Sequence, residues 1–149
     1  FALGEYQRAT ELLRQASGLA DGFVASEPIL AARIYRSLGR VEAIGNDLPV
    51  ADQRLSRAVA LLRVNDATPM ELAACLYQLA ELRRRQSRWP EALELGREAL
   101  ALRRTHLPAN HADLADSLTQ SASIYRRLGR TSDAEALLRE ALSSMQVAL

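Results

Sequence analysis

Apolar residues recur along most of the chain at intervals of three and four, as at Leu72, Leu76, Leu79 and Leu82. That spacing puts one apolar stripe on a helix and leaves the opposite face to water. The pattern predicts seven helices, at about 5–19, 25–38, 49–63, 69–86, 90–104, 111–128 and 131–147. Several ends are legible. Thr68-Pro69-Met70-Glu71 combines an N-cap, a proline in the first turn and a capping-box glutamate. Asn110 and Asp47 are candidate N-caps of the helices that follow them. Leu3-Gly4-Glu5, Leu38-Gly39-Arg40 and Leu128-Gly129-Arg130 read as turns, because glycine accepts the left-handed conformation past a helix end. Gln86-Ser87-Arg88 holds the corresponding place in another copy.

The helices come in a repeat. Residues 76–100 and 118–142 agree at twelve of 25 positions, where composition alone would give about two. Ala9, Ala51, Ala92 and Ala134 follow one another at spacings of 42, 41 and 42; Ala16, Ala58, Ala99 and Ala141 keep the same steps, as do Leu13, Leu55, Gly96 and Leu138. Small side chains at fixed places let two helices lie close together, and stacked hairpins bury faces that one hairpin cannot bury alone. The expected fold is therefore all-α: a right-handed superhelical solenoid of antiparallel hairpins, three full repeats plus a leading half, forming a single domain over 1–149. One copy breaks the pattern. With the turn at Gly39, residues 41–49 become a longer loop inside the hairpin, offset by a short connection at 20–25.

Composition narrows the function. Ala and Leu supply 26 residues each, all 19 basic residues are Arg, and the formal net charge is +1. Such a balance favours helix and does not point to nucleic acid or an anionic membrane. No apolar run is long enough to span a bilayer. The single Cys75 excludes an internal disulfide and suits a reducing, cytoplasmic setting; beside Leu72, Leu76 and Leu79 it reads as a small core residue. No nucleotide-binding glycine motif, HExxH or GxSxG is present. Without a single Lys, this chain cannot itself be a kinase. His106, His111 and Asp113 offer too few ligands at too loose a spacing for a metal. Trp89, before Pro90, reads as packing at a turn. No enzyme activity, cofactor or metal is expected.

The stretch ALALRRTHLPANHADLADSL at 99–118, followed by IYRRLGR at 124–130 and AEALLREAL at 134–142, resembles the tetratricopeptide repeat in its 42-residue, kinesin-light-chain-like variety. The resemblance covers essentially the whole chain. The segment after Gly39 also resembles repeats found C-terminal to bacterial Ser/Thr kinase domains. The family likeness implies a concave groove lined by the first helix of each hairpin. Carried over by position, the groove residues are Arg33, Arg36 and Ser37; then Tyr77, Glu81, Arg84 and Arg85; then Asp116, Thr119, Ser123, Arg126 and Arg127. Arg at matching positions of neighbouring copies would form a ladder about 10 Å apart per layer. Arg forks suit carboxylates and phosphates, although Arg near a helix C-terminus also offsets the macrodipole without any ligand. The implied function is a non-catalytic scaffold that binds a protein or an acidic peptide, as a regulatory segment of a larger bacterial protein. The alternatives are a kinase-attached repeat region and a helical-repeat nucleic-acid binder; Glu81, Asp116 and the scarcity of aromatics weigh against the last. The opening residues 1–6 read as the tail of an earlier helix and its turn, which makes the chain a fragment. The apolar face of an uncapped last helix, ending Ser143-Ser144-Met145-Gln146-Val147-Ala148-Leu149, is a candidate homodimer contact.

Overall fold

The structure, a computed structural model, describes residues 2–147 and the side chains of 3–146. Phe1, Ala148 and Leu149, which belong to the two ends of the array, lie outside the described residues. Seven helices and no strand occur among the described residues: α1 (Ala2–Phe23), α2 (Pro28–Ile44), α3 (Leu48–Val64), α4 (Pro69–Arg85), α5 (Trp89–His106), α6 (Ala112–Arg127) and α7 (Thr131–Val147). The chain divides into two compact units, Phe1–Ala67 and Thr68–Leu149.

Three of the expected ends move. Leu3-Gly4-Glu5 is not a turn, because α1 is already helical at Ala2. Gly39 is not a turn either. It lies inside α2, buried, where an added Cβ would stand 2.8 Å from Leu55 Cγ, 3.1 Å from Leu55 Cδ2 and 3.3 Å from the Ala51 carbonyl oxygen. Its role is close approach between α2 and α3. The long loop at 41–49 therefore does not exist; α2 continues to Ile44 and the turn is Gly45-Asn46-Asp47. The third shift is at α6, where His111 is the cap in place of Asn110: its Nδ1 accepts from the Asp113 N–H at 3.0 Å.

The three hairpin turns are copies of one device. Asn46, Ser87 and Gly129 have φ of 65°, 60° and 79°. In each turn the following residue donates its N–H back five positions, from Asp47 to Glu42, Arg88 to Arg83 and Arg130 to Tyr125. The left-handed residue itself donates back three, to Ala43, Arg84 and Arg126. This is the Schellman closure, which satisfies carbonyls left over at a helix end. Prolines in the first turns of α3 and α5 then start the return helices where a missing N–H costs nothing. Thr68 caps α4, its side chain accepting from the Glu71 N–H at 3.3 Å.

In the first unit the core is Ala31, Ala32, Tyr35 and Leu38 of α2 against Ala51, Leu55, Ala58 and Leu62 of α3, with Ala20 of α1. Tyr35 is fully buried; its hydroxyl donates to the Asp21 carboxylate, and Arg57 lies over its ring at 5.3 Å. In the second unit Leu76, Leu79, Ala80 and Leu82 of α4 meet Ala92, Ala99 and Leu100 of α5, then Leu114, Leu118 and Ile124 of α6 and Ala134 and Ala141 of α7. Cys75 is a buried free thiol in this core. Six of the eight scheduled alanines, Ala51, Ala58, Ala92, Ala99, Ala134 and Ala141, are buried, as close helix packing requires, whereas Ala9 is exposed and Ala16 half-buried in α1. Leu138, Leu142 and Met145 of α7 stay exposed. No helix among the described residues is long and apolar enough to cross a membrane.

Candidate functional site

The second unit gathers four of the expected groove residues. Arg84 at the end of α4, and Ser123, Arg126 and Arg127 at the end of α6, line one depression of about 430 Å³ together with Trp89, the first residue of α5. The local fold explains the gathering. The α4–α5 turn places Trp89 four residues after Arg85, and α6 packs beside both α4 and α5. Arg127 stacks over the Trp89 ring at 5.4 Å. A cation over an indole face is attracted by the ring quadrupole, so the pair holds both side chains at the rim. Trp89 thus packs at the turn and also lines the depression. No residue type or spacing near Trp89 announces this, because its partner lies 38 positions later.

Below the rim is a polar network. Arg84 grips Glu81 through a fork, Nη2 to Oε1 at 2.5 Å and Nε to Oε2 at 3.1 Å. Burial pushes the Glu81 carboxyl up, but the hydrogen bond and charge of Arg84, with Gln120 and Arg85, outweigh it and hold the group below its usual range. The same bond raises Arg84. Gln120 Nε2 donates to the Tyr77 carbonyl oxygen at 3.0 Å, tying α6 to α4. Tyr77 has its ring under the Arg103 guanidinium at 4.7 Å, and burial pushes its hydroxyl up. Arg103 is itself buried, donating to the Asp113 carbonyl oxygen at 3.0 Å and to Ser117 Oγ at 2.8 Å; desolvation lowers its pKa. Tyr77, Glu81 and Arg103 are thus tied by these contacts into the region around the depression.

The remaining expected residues are placed differently. Thr119 is exposed and turns its hydroxyl back to the Ala115 carbonyl oxygen at 2.9 Å. Asp116 and Arg85 are exposed. Arg33 and Arg36 belong to the first unit. Arg33 and Ser37 edge a shallow depression with Ala16, Ile34, Leu38 and Val41. Arg36 is half-buried, and its Nε has no hydrogen-bond partner. Among the described residues no group of three His, Cys, Asp or Glu side chains could hold a metal ion.

Paired helices closed by identical turns, with alanines buried on a 41- and 42-residue schedule, define a helical-hairpin repeat protein of the kind that binds other polypeptides. The chain belongs to the tetratricopeptide repeat family, whose model matches residues 72–146. Solved structures agree on the fold. BtubC (BKLC) from P. vanneervenii is 20% identical with a TM-score of 0.75, covering 94% of this chain and 57% of its own. The nearly identical TPR-like repeats of a Podosopora anserina protein assigned as a kinesin light chain are 22% identical with a TM-score of 0.78, covering 99% of this chain and 70% of theirs. MamA is 18% identical with a TM-score of 0.68, covering 99% and 77%. The chain thus spans little more than half the length of BtubC. No curated protein matches it in sequence.

Proposed function

We propose that the chain is a non-catalytic binding module that holds an acidic peptide or an acidic partner surface at the Trp89 depression. One observation carries this reading: three guanidinium groups, of Arg84, Arg126 and Arg127, line the same hollow, and no carboxylate lines it with them. Arg84 already meets Glu81, so the local surplus comes from Arg126 and Arg127. A purely structural account assigns these two to the C-terminal end of α6, where basic residues offset the macrodipole. That accounts for their charge but not for their convergence with an indole in a concave site, where recognition sites of this type form. A shared 41- and 42-residue register supports treating both units as parts of one repeat domain.

The experiment is a binding titration with acidic and neutral peptides of equal length, followed by Trp89 fluorescence. Acidic peptides should bind and the Arg126→Ala, Arg127→Ala double variant should lose at least about tenfold, which is 1.4 kcal/mol. Both positions are exposed, so far-ultraviolet circular dichroism should be unchanged. Equal affinity for neutral peptides would reject an electrostatic site. Binding of generic RNA with a steep salt dependence, and none of peptides, would transfer the chain to the nucleic-acid binders.

A further inference from the structure

Resting on the acidic-partner reading, we propose that the Trp89 depression selects a phosphorylated serine or threonine over a carboxylate side chain. The argument is one of charge and of valence. A carboxylate of α4, Glu81, already occupies the Nε and Nη2 edge of Arg84, and Glu91 beside Trp89 is taken up by Arg83 and Arg88. Glu81 is held ionised there, so it neutralises one of the three cations. Arg126 and Arg127 are left at the rim, exposed, and no acidic side chain lines the hollow with them. The surplus of two positive charges matches a phosphomonoester, which carries between one and a half and two negative charges at neutral pH. A single carboxylate neutralises half of it.

Geometry adds to the charge. A guanidinium donates through a planar fork, so two of them plus the free Nη1 edge of Arg84 need more acceptor positions than two carboxylate oxygens provide. A phosphate offers three outward oxygens and can take bidentate contacts from more than one fork. Both cations also stand at the C-terminal end of α6, where the helix carbonyls already attract them and oppose any incoming anion. That opposition grows with the charge of the ligand, so the preference rests on the forks: a phosphate meets two guanidinia together, whereas a single carboxylate is filled by one. Ser123 adds a hydroxyl to the lining, a neutral donor for a phosphate oxygen. Trp89 forms the apolar wall against which the carbon stem of the ligand residue rests, with Arg127 bridging indole and anion.

The test uses the whole chain and its one tryptophan, so the readout belongs to the site. Three peptides of sequence Asp-Glu-Xaa-Glu-Asp, with Xaa as phosphoserine, glutamate or serine, are titrated at pH 7.5. The phosphopeptide should bind about tenfold tighter than the glutamate peptide. The advantage should shrink as pH falls to 5.5, because the second phosphate ionisation lies near 6 and the ionised glutamate does not change over that range. Arg126→Ala with Arg127→Ala should abolish the preference, and Arg127→Lys, which keeps the charge and loses the fork, should reduce it. If the glutamate peptide binds as tightly as the phosphopeptide, phosphate selection is wrong and the acidic-partner reading stands. If none of the three binds, both fall. If the phosphopeptide binds best but the double variant binds it equally well, the phosphate sits elsewhere and the assignment to this hollow is overturned.

Discussion

Gly39 and Gly96 both sit in the middle of helices, and the space around each gives them opposite meanings. At Gly39 an added Cβ collides with Leu55, a fully buried side chain held on every side, and comes within 3.3 Å of the α3 backbone. At Gly96 it would meet Gln120 Oε1 at 3.5 Å, Ser121 Oγ at 3.6 Å and Ile124 Cδ1 at 3.7 Å, which are ordinary contacts. Overpacking costs about 1–3 kcal/mol, while replacing a mid-helix glycine with alanine returns about 1 kcal/mol of helix propensity. Gly39→Ala is therefore expected to lower stability by up to about 2 kcal/mol, and Gly96→Ala to raise it by about 0.5–1 kcal/mol. Urea unfolding of the two variants beside the parent checks both signs; two losses, or two gains, would contradict this packing. The same contrast shows what a sequence conveys about glycine. Period and spacing place both residues on helical stripes or near their ends. Only the distance to Leu55, set by how the hairpin folds back, makes Gly39 a contact point.

Among the elements, the hairpin turns show what could be read in advance and what could not. Helix number, the alanine schedule and the turns at Ser87 and Gly129 follow from the repeat. The first hairpin was legible too, through a different residue: Pro49 and Pro90 stand 41 apart, as do Asn46 and Ser87. A search for glycine passes over Asn46, which tolerates the left-handed region nearly as well. The Arg positions of the candidate site were likewise accessible from repeat alignment, whereas Trp89 was not, because its place in the site depends on α6 packing across the α4–α5 turn. The shared closure makes a quantitative prediction. Ser87, at φ 60°, bears a strain that glycine lacks, and Gly129, at φ 79°, has no Cβ within a conformation that resists one. Ser87→Gly should stabilise the second unit and Gly129→Ala should destabilise it, each by about 1 kcal/mol. Thermal melts of the two variants should shift in opposite directions. No shift at Gly129→Ala would mean that the turn relaxes out of the left-handed region.

At the scale of the whole molecule, two buried or half-buried glutamates act on the pH dependence of stability in opposite directions. Glu42 is buried in the first unit; Arg54 meets its Oε1 at 3.5 Å while Oε2 has no partner. Desolvation therefore raises its pKa above the ordinary 4.5, against the smaller pull of Arg54. Glu81, in the second unit, is held below the same 4.5 by Arg84 and Gln120 despite its burial. An acid raised in the folded state binds more protons there than in the unfolded chain, so stability falls as pH rises from about 4.5 through the folded pKa. An acid lowered in the folded state contributes stability above about 4.5 and loses it as pH falls through the folded pKa. The two windows lie on either side of one pH and do not cancel. Glu42 on its own pulls the stability maximum toward the acid side of the usual plateau, and Glu81 sets a decline below it. Melting temperatures across pH 3–8 should show it. Glu42→Gln should flatten the decline above the maximum, since the amide carries no buried charge to desolvate. Glu81→Gln should flatten the decline below it and loosen Arg84 at the rim of the Trp89 hollow. A parent curve that rises steadily to pH 7 and is untouched by Glu42→Gln would show that Glu42 reaches water, and with it that the α2–α3 hairpin opens around Arg54 instead of closing over the carboxylate.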